Sequence, residues 1–338
     1  MKEKNNFYAS SWIKRFFLEY MVCTRNLSLN TRCSYRDTFR MLLSFISKRQ
    51  KKAIDKLSMD DFSTDNIKRF LSMLEQEKEC SISTRNQRLS AVKTFARFVA
   101  LEAPEYVEWY RNLNLIPLKK SQPQLITYLE KNEMDKLLTL PDQSTVLGRR
   151  DYILLLFMYN TGARVDEIAK LTIENLALPS SGKQEFATVS FWGKGSKRRR
   201  CPLWKQTIEE LKWLTGKRKA TDFVFLNRVG EPLTRFGIHA MMKRYVKALI
   251  KEIPSIKNKR VSPHTIRHTT ATHLLQSGVD INTIRAWLGH VSINTTNIYA
   301  EINMEMKAKA IAACEMEQNT GELNWKDNQD LLDFLDNL

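Results

Sequence analysis

The first 103 residues contain no glycine and no proline, and this feature constrains the fold of the chain more than any other. All 11 glycines lie at or after Gly148, and all nine prolines lie at or after Pro104. Because glycine and proline are the residues that most strongly interrupt helices, such a stretch favours helices joined by short polar turns. The sequence therefore predicts that residues 1–103 form a helical domain.

Capping residues followed by apolar positions at helical spacing predict four helices in this domain. The first covers roughly residues 7–23, and the others begin near Asn30, after Ser63 or Thr64, and after Ser83. Apolar side chains recur every three or four residues in each helix, as expected for helices that pack into a small bundle.

The same domain carries 20 Lys and Arg against 11 Asp and Glu, a net charge of +9. On the fourth predicted helix the basic side chains leave the apolar positions free, and they are Arg85, Arg88, Lys93 and Arg97. A solvated helix face would give the same pattern. Because few acids alternate with these bases, we favour a surface that faces DNA.

Proline and glycine mark the divisions of the remaining chain. Residues 104–124 contain three prolines and little periodicity, which predicts an extended linker. Residues 125–315 form a predicted mixed domain, and residues 316–338 form a tail with a net charge of −5. The helices predicted in the mixed domain cover 130–140, 147–160, 203–214, 234–250, 263–276 and 281–288. The short strands predicted there cover 187–192, 199–203 and 222–226, and a hairpin turn over 193–197 joins the first two.

The chain as a whole is basic, with 54 Lys and Arg against 37 Asp and Glu and a formal charge of +17. Its longest run of large apolar side chains, Tyr152–Tyr159, is far too short to cross a bilayer. The five cysteines are scattered, and none forms a C-x-x-C pair. These features predict a soluble, cytoplasmic protein without a membrane partner that binds a polyanion, most often nucleic acid.

Motifs for metal or nucleotide chemistry are absent from the sequence. There is no H-E-x-x-H motif, and Gly193-Lys194-Gly195 lacks the frame of a phosphate-binding P-loop. His264 and His268 lie four residues apart, which could suit zinc, but no carboxylate or cysteine completes a ligand set nearby. We therefore predict no metal and no cofactor.

A different set of side chains suits an anionic substrate: Arg164, Lys194, His264, Arg267, His290 and Tyr299. Five of these side chains can carry a positive charge, and none is a carboxylate. Arginine binds phosphate oxygens bidentately, so the set suits a phosphate diester that is attacked without a metal. Taken singly, each has a structural alternative: Tyr299 could pack in the core, Arg164 could cap a helix, and Lys194 could serve solubility.

The local sequences around these residues resemble the motifs of tyrosine recombinases, the phage integrase and Xer family. Residues 161–168 (T-G-A-R-V-D-E-I) resemble the T-G-x-R-x-x-E box, and residues 193–199 resemble the G-K-G-x-K hairpin. The H-T-I-R-H run at 264–268 resembles the H-x-L-R-H box, with Ile266 where leucine is usual. L-G-H at 288–290 and T-T-N-I-Y at 295–299 resemble the last box.

This resemblance implies a role for each residue of the set. Tyr299 would be the nucleophile that forms a 3′-phosphotyrosine, and Lys194 would be the general acid for the 5′-oxygen. Arg164, Arg267 and His290 would clamp the phosphate, and His264 would accept or orient a proton. In the hairpin, Lys197 would contact DNA, whereas we interpret His268 as structural.

The resemblance also implies an architecture. The helical bundle would be the core-binding domain, and together with the catalytic domain it would form a C-shaped clamp on duplex DNA. Four protomers would exchange strands between two recombination sites through a Holliday junction, with or without a related recombinase or accessory factor, at the nucleoid. The tail carries six large apolar side chains, which indicate that it docks on a protein surface: Trp325, Leu331, Leu332, Phe334, Leu335 and Leu338. In this family the C-terminal segment commonly docks on a neighbouring protomer.

Two other functions would use similar residues. A type IB-like topoisomerase or a hairpin-telomere resolvase shares the chemistry, but the length of the chain and its N-terminal bundle favour a recombinase. A non-catalytic DNA-binding regulator is disfavoured because all six positions of the set are occupied by suitable residues.

Overall fold

Helices dominate the computed structural model, which describes residues 8–120, 126–178, 187–192 and 198–289. The chain divides into two compact units, residues 1–124 and 125–338. The mainly helical architecture with a small antiparallel sheet confirms the fold class predicted from the sequence. No helix in these described ranges is both long enough and apolar enough to cross a membrane.

The first unit is a bundle of helices. Its α-helices within residues 8–120 are α1 (Ala9–Arg15), α2 (Leu29–Gln50), α3 (Thr64–Gln76), α4 (Ile82–Glu102) and α5 (Val107–Asn114). A π-helical segment, Phe16–Thr24, continues α1, and short 3-10 turns at Ile54–Lys56 and Met59–Phe62 connect α2 to α3.

Serine side chains begin three of these helices, at Ser28, Ser63 and Ser81. Each hydroxyl accepts a hydrogen bond from the backbone N–H three residues later, at 3.2–3.3 Å, so that a donor without a helical partner is satisfied. The cap at Ser63 confirms the prediction. The starts predicted near Asn30 and after Ser83 are wrong by about two residues, because the preceding serine already serves as the cap.

Aromatic side chains form the centre of the bundle. The ring centroid of Phe95 in α4 lies 5.4 Å from that of Phe16 and 5.1 Å from that of Phe39 in α2. All three rings are buried. Burial of side chains of this size contributes about 1.5–3 kcal/mol each, so these contacts hold the π-helical segment, α2 and α4 together.

The sequence predicts an extended linker over residues 104–124, but the first part of this segment is helical and belongs to the bundle. A 3-10 turn at Pro104–Tyr106 leads directly into α5, and Leu113 and Ile116 are buried in the core of the first unit. The prediction is wrong here because a proline in the first turn of a helix costs no hydrogen bond and can start the helix that follows.

The second unit is also mostly helical. Its α-helices within the described ranges are α6 (Lys131–Thr139), α7 (Val146–Thr161), α8 (Val165–Ala169), α9 (Lys205–Thr215), α10 (Arg235–Glu252), α11 (Pro263–Gln276) and α12 (Ile281–Leu288). Every residue of α7 from Asp151 to Thr161 is buried, and this helix packs against α9 and α11. The buried helix predicted over 147–160 is therefore confirmed.

An antiparallel sheet of order β1-β2-β3 accompanies these helices in the described part of the unit. Its strands are β1 (Leu176–Ala177), β2 (Thr188–Trp192) and β3 (Arg198–Pro202). The strand predicted over 222–226 is wrong, because Phe223 and Leu226 form only isolated bridges, to Thr172 and Pro232. β1 was not predicted, since two residues carry no alternation. The hairpin turn predicted over 193–197 lies outside the described residues.

Candidate active site

Gly162 ends α7 in a left-handed conformation with φ of +58°. A Cβ atom there would lie 2.5 Å from Cδ2 of Leu288, the last residue of α12. Glycine therefore permits both the turn and the close approach of the two helix ends. The chain then extends to Arg164, which is the N-cap residue of α8.

Arg164 lies between the protein and solvent, with its side chain 42% exposed. Its Nη1 donates to Oε1 of Glu167 at 3.1 Å, and its backbone N–H donates to Oε2 of the same carboxylate at 2.8 Å. Nη2 lies 3.4 Å from the carbonyl oxygen of Gly289, directly after α12. The guanidinium is therefore tethered at two points and still accessible to an anion.

Arg267 in α11 is the buried counterpart of Arg164, with only 2% of the residue exposed. Its Nη1 donates to the carbonyl oxygen of Gly162 at 2.6 Å, and its Nη2 donates to that of Leu288 at 2.7 Å. One guanidinium thus joins the ends of α7 and α12 and has a fixed orientation. A lysine could not make both bonds with this geometry.

His264 begins the same helix face one turn before Arg267. Its ring stacks edge-on with that of His268 at a centroid distance of 4.6 Å. Partial burial and the charges of Arg267 and Arg164 lower the pKa of His264 below its usual value. Burial and these charges therefore favour the neutral imidazole, which is the form that has a nitrogen lone pair to accept a proton.

The neighbouring His268 is shifted further in the same direction. Burial, the nearby His264 and the charge of Arg267 lower the pKa of His268 to about 4. A ring that stays neutral over the physiological range fits the structural role that the sequence gives to His268.

The sequence motifs assign no role to Arg199, which lies in β3. Its Nη1 and Nη2 donate to the two carboxylate oxygens of Glu167 at 2.6 and 2.7 Å. Although burial opposes ionisation, these bonds and the charge of Arg199, with smaller contributions from Arg164, lower the pKa of Glu167. Strand alternation could have indicated Arg199, because the middle arginine of three must point to the face opposite the outer two.

The structure thus brings three of the six predicted active-site residues, Arg164, His264 and Arg267, to the meeting point of α7, α8, α11 and α12. Lys194, Lys197, His290 and Tyr299 lie outside the described residues. No group of three or more His, Cys, Asp or Glu in the described ranges could hold a metal ion. An arrangement of two guanidiniums beside a neutral imidazole can bind an anion and accept a proton.

The predicted DNA-binding residues of α4 differ in their surroundings. Arg85 is buried, and its Nη1 donates to the carbonyl oxygen of Pro117 at 2.9 Å. Lys93 donates to the carbonyl oxygen of Ile116 at 2.7 Å. These two bases hold the segment that follows α5. Arg97 is exposed and Arg88 partly so, with Arg88 3.3 Å from Thr38 Oγ1. DNA contact by the four residues stays a prediction.

Comparison with known proteins identifies the family. The phage integrase family profile matches residues 127–306, and the profile of the phage integrase N-terminal SAM-like domain matches residues 13–103. The chain therefore belongs to the phage integrase family, as the motifs predict. It is a tyrosine-type site-specific DNA recombinase.

Similar proteins support this assignment over nearly the full chain. A Sinorhizobium fredii protein, y4rC, named as a candidate integrase/recombinase, is 35% identical over 96% of this chain and 97% of its own length. The tyrosine recombinase XerC of Oceanobacillus iheyensis is 31% identical over 86% of this chain and 91% of its own length.

Solved structures share the fold. The Tn1549 transposon integrase in complex with transposon right end DNA has a TM-score of 0.67 at 18% identity, covering 89% of this chain and 98% of its own. XerH recombinase bound to palindromic difH substrate has a TM-score of 0.64 at 22% identity, covering 86% and 82%.

Proposed function

We propose that this protein cleaves one DNA strand at a time with Tyr299 and holds the scissile phosphate with Arg164, Arg267 and His290. The observation that supports this proposal best is that Arg164 and Arg267 bind consecutive carbonyls at the end of α12. His290 follows Gly289 directly in the sequence, so the same helix end leads into the remaining predicted residues.

In the proposed reaction the Tyr299 oxygen forms a bond to the phosphorus and the bond to the 5′-oxygen breaks. A free phenol has a pKa of about 10, so it needs nearby cations or a base to react at neutral pH. His264, whose surroundings favour the neutral imidazole, is the candidate acceptor for the phenol proton. Lys194 donates a proton to the departing 5′-oxygen.

The two guanidiniums act on the phosphate itself. Negative charge that grows on the non-bridging oxygens is stabilised by cations already held in place, which is usually the largest contribution to catalysis. The 3′-phosphotyrosine keeps the energy of the broken bond. A 5′-hydroxyl can attack it in the reverse direction, so rejoining needs neither ATP nor a metal.

The proposed partner is double-stranded DNA carrying paired recombination sites. Net charges of +9 on residues 1–103 and +13 on residues 104–315 support binding by both parts of the chain. We propose a C-shaped clamp around the duplex. Four copies would meet on two sites, because recombination exchanges four strands, and this assembly would act at the nucleoid in the cytoplasm.

A nicked suicide substrate tests the proposal. Loss of the short strand after cleavage prevents rejoining, so the wild-type protein should accumulate as a covalent DNA complex in EDTA without ATP. Tyr299→Phe should bind the substrate and form no such complex, whereas Tyr8→Phe, which makes the same change at an exposed tyrosine of the first unit, should behave as wild type.

A supercoiled plasmid, used beside the suicide substrate, separates the alternatives. Relaxation of supercoiled DNA irrespective of sequence would indicate a topoisomerase, and a mobility shift without covalent attachment would indicate a regulator. Either result, or covalent attachment by Tyr299→Phe, would contradict the proposal.

A further inference from the structure

The last three carbonyl oxygens at the end of α12 are each bound by a different arginine. Arg199 Nε donates to Trp287 at 3.0 Å, Arg267 Nη2 donates to Leu288 at 2.7 Å, and Arg164 Nη2 approaches Gly289 at 3.4 Å. Carbonyls at a helix C-terminus have no helical partner and carry the negative end of the dipole, so they suit cations. The helix end therefore sets the spacing of three guanidiniums.

Arg199 is also linked to Arg164, because both arginines bind the carboxylate of Glu167. Glu167 Oε1 accepts from Arg199 at 2.6 Å and from Arg164 at 3.1 Å, so one oxygen serves both arginines. Without Arg199, the carboxylate would be free to turn fully towards Arg164. That movement would draw the Arg164 guanidinium away from Gly289 and from an incoming phosphate.

Position along β3 explains why this arginine and not its neighbours makes these contacts. Arg198 and Arg200 pair with Trp192 and Ser190 and are exposed, whereas the side chain of Arg199 is only 10% exposed and lies over the ring of Phe191. Of the three arginines, alternation along the strand thus places only Arg199 on the inner face, which it shares with the buried Cys201.

We propose that Arg199 is a positioning residue for DNA cleavage, which holds Arg164, through Glu167, and the end of α12 in the arrangement that grips the scissile phosphate. This inference rests on the proposed function. Arg199 itself does not touch the phosphate. A lysine at this position keeps the charge and loses the bidentate fork together with the bond to Trp287, so the geometry and not the charge is what matters.

Single-turnover cleavage of the suicide substrate at saturating DNA tests the proposal. Arg199→Lys should slow cleavage by about 10- to 100-fold, the equivalent of one lost charged hydrogen bond. DNA affinity should change by less than about twofold, because no DNA contact is removed. Arg200→Lys is the matched control, since it makes the same change at the next residue on the exposed face, and should cleave as wild type.

A double-mutant cycle separates positioning from general support of the fold. If Arg199 acts through Arg164, Arg199→Lys should slow cleavage by less than about threefold when Arg164→Lys is already present. Equal losses in both backgrounds would overturn the proposal, as would wild-type cleavage by Arg199→Lys. If Arg199→Lys does not fold, Arg199→Met and Glu167→Gln replace it. Each is measured with and without Arg164→Lys, and equal losses of cleavage rate in the two backgrounds again overturn the proposal.

These outcomes are distinct from a failure of the proposed function. The wild-type covalent complex and its loss in Tyr299→Phe test the nucleophile without involving Arg199. If that complex forms and the cycle is additive, the proposed function stands and only the positioning role is refuted.

Discussion

Substitution of Gly289 by alanine perturbs the end of α12 in two ways. The backbone there has φ of +66°, and a Cβ atom would lie 2.8 Å from Cδ of Arg199. Gly278 offers a matched control in the same unit, because its φ is +84° and a Cβ atom would have no neighbour within 4 Å. Gly278→Ala therefore adds backbone strain alone, whereas Gly289→Ala adds strain and displaces Arg199.

The magnitudes follow from these two contributions. A left-handed conformation costs an L-residue roughly 1–2 kcal/mol, so this strain alone should lower the unfolding temperature of each variant by about 2–8 °C. The Arg199 side chain is fixed by Glu167 and by the Trp287 carbonyl, so it cannot swing aside without losing charged hydrogen bonds. Each such bond contributes about 1.5–3 kcal/mol, so Gly289→Ala should be less stable than Gly278→Ala by about this amount.

Thermal unfolding and single-turnover cleavage together decide the outcome. Gly278→Ala should cleave at the wild-type rate below its unfolding midpoint, whereas Gly289→Ala should cleave at least about tenfold more slowly. Equal stability and equal cleavage rates for the two variants would refute the view that contact between Arg199 and the end of α12 organises the site.

Three further predictions concern other parts of the chain. Lys194→Ala should cleave slowly, and a 5′-phosphorothiolate at the scissile position should restore the rate because a thiolate leaves without a proton; no rescue would contradict a general-acid role. Arg85→Met should lower the free energy of unfolding by about 1–3 kcal/mol, because the buried guanidinium's bond to the Pro117 carbonyl and its ion pair with Glu75 are both lost, while the exposed Arg97→Met should weaken DNA binding only; equal stability of the two in urea unfolding would be contrary evidence. Deletion of residues 321–338 should reduce assembly on paired sites in sedimentation and gel-shift experiments and preserve binding to a single site; unchanged assembly and cleavage would show that the tail does not dock on a neighbour.

Much of the fold could be predicted because its helices begin and end at residues with unambiguous preferences. The bounds predicted for α11 and α12 agree with the structure, since Ser262-Pro263 and Asp280 are strong N-terminal signals. α8 was missed because five residues are too short for a periodic pattern.

The types of residue in the candidate site could be predicted from the sequence, whereas the residues that hold them in position could not. The cationic residue types and the resemblance to the family's motifs single out Arg164, His264 and Arg267, and the structure places the three together, while their catalytic roles stay predictions. The pairing of Glu167 with Arg199 depends on β3 reaching α8, a tertiary contact across 32 residues of sequence that no local pattern specifies. For the same reason the sequence could not separate the structural Arg85 from the exposed Arg97, although both lie on one helix.

Identification of the amino acid that becomes attached to DNA tests the central claim most directly. The wild-type protein is trapped on the suicide substrate, the complex is digested with protease and nuclease, and the nucleotide-bearing peptide is sequenced by mass spectrometry. We expect a 3′-nucleotide esterified to the oxygen of Tyr299. A nucleotide on any other residue, or an adduct through a 5′-phosphate, would contradict it.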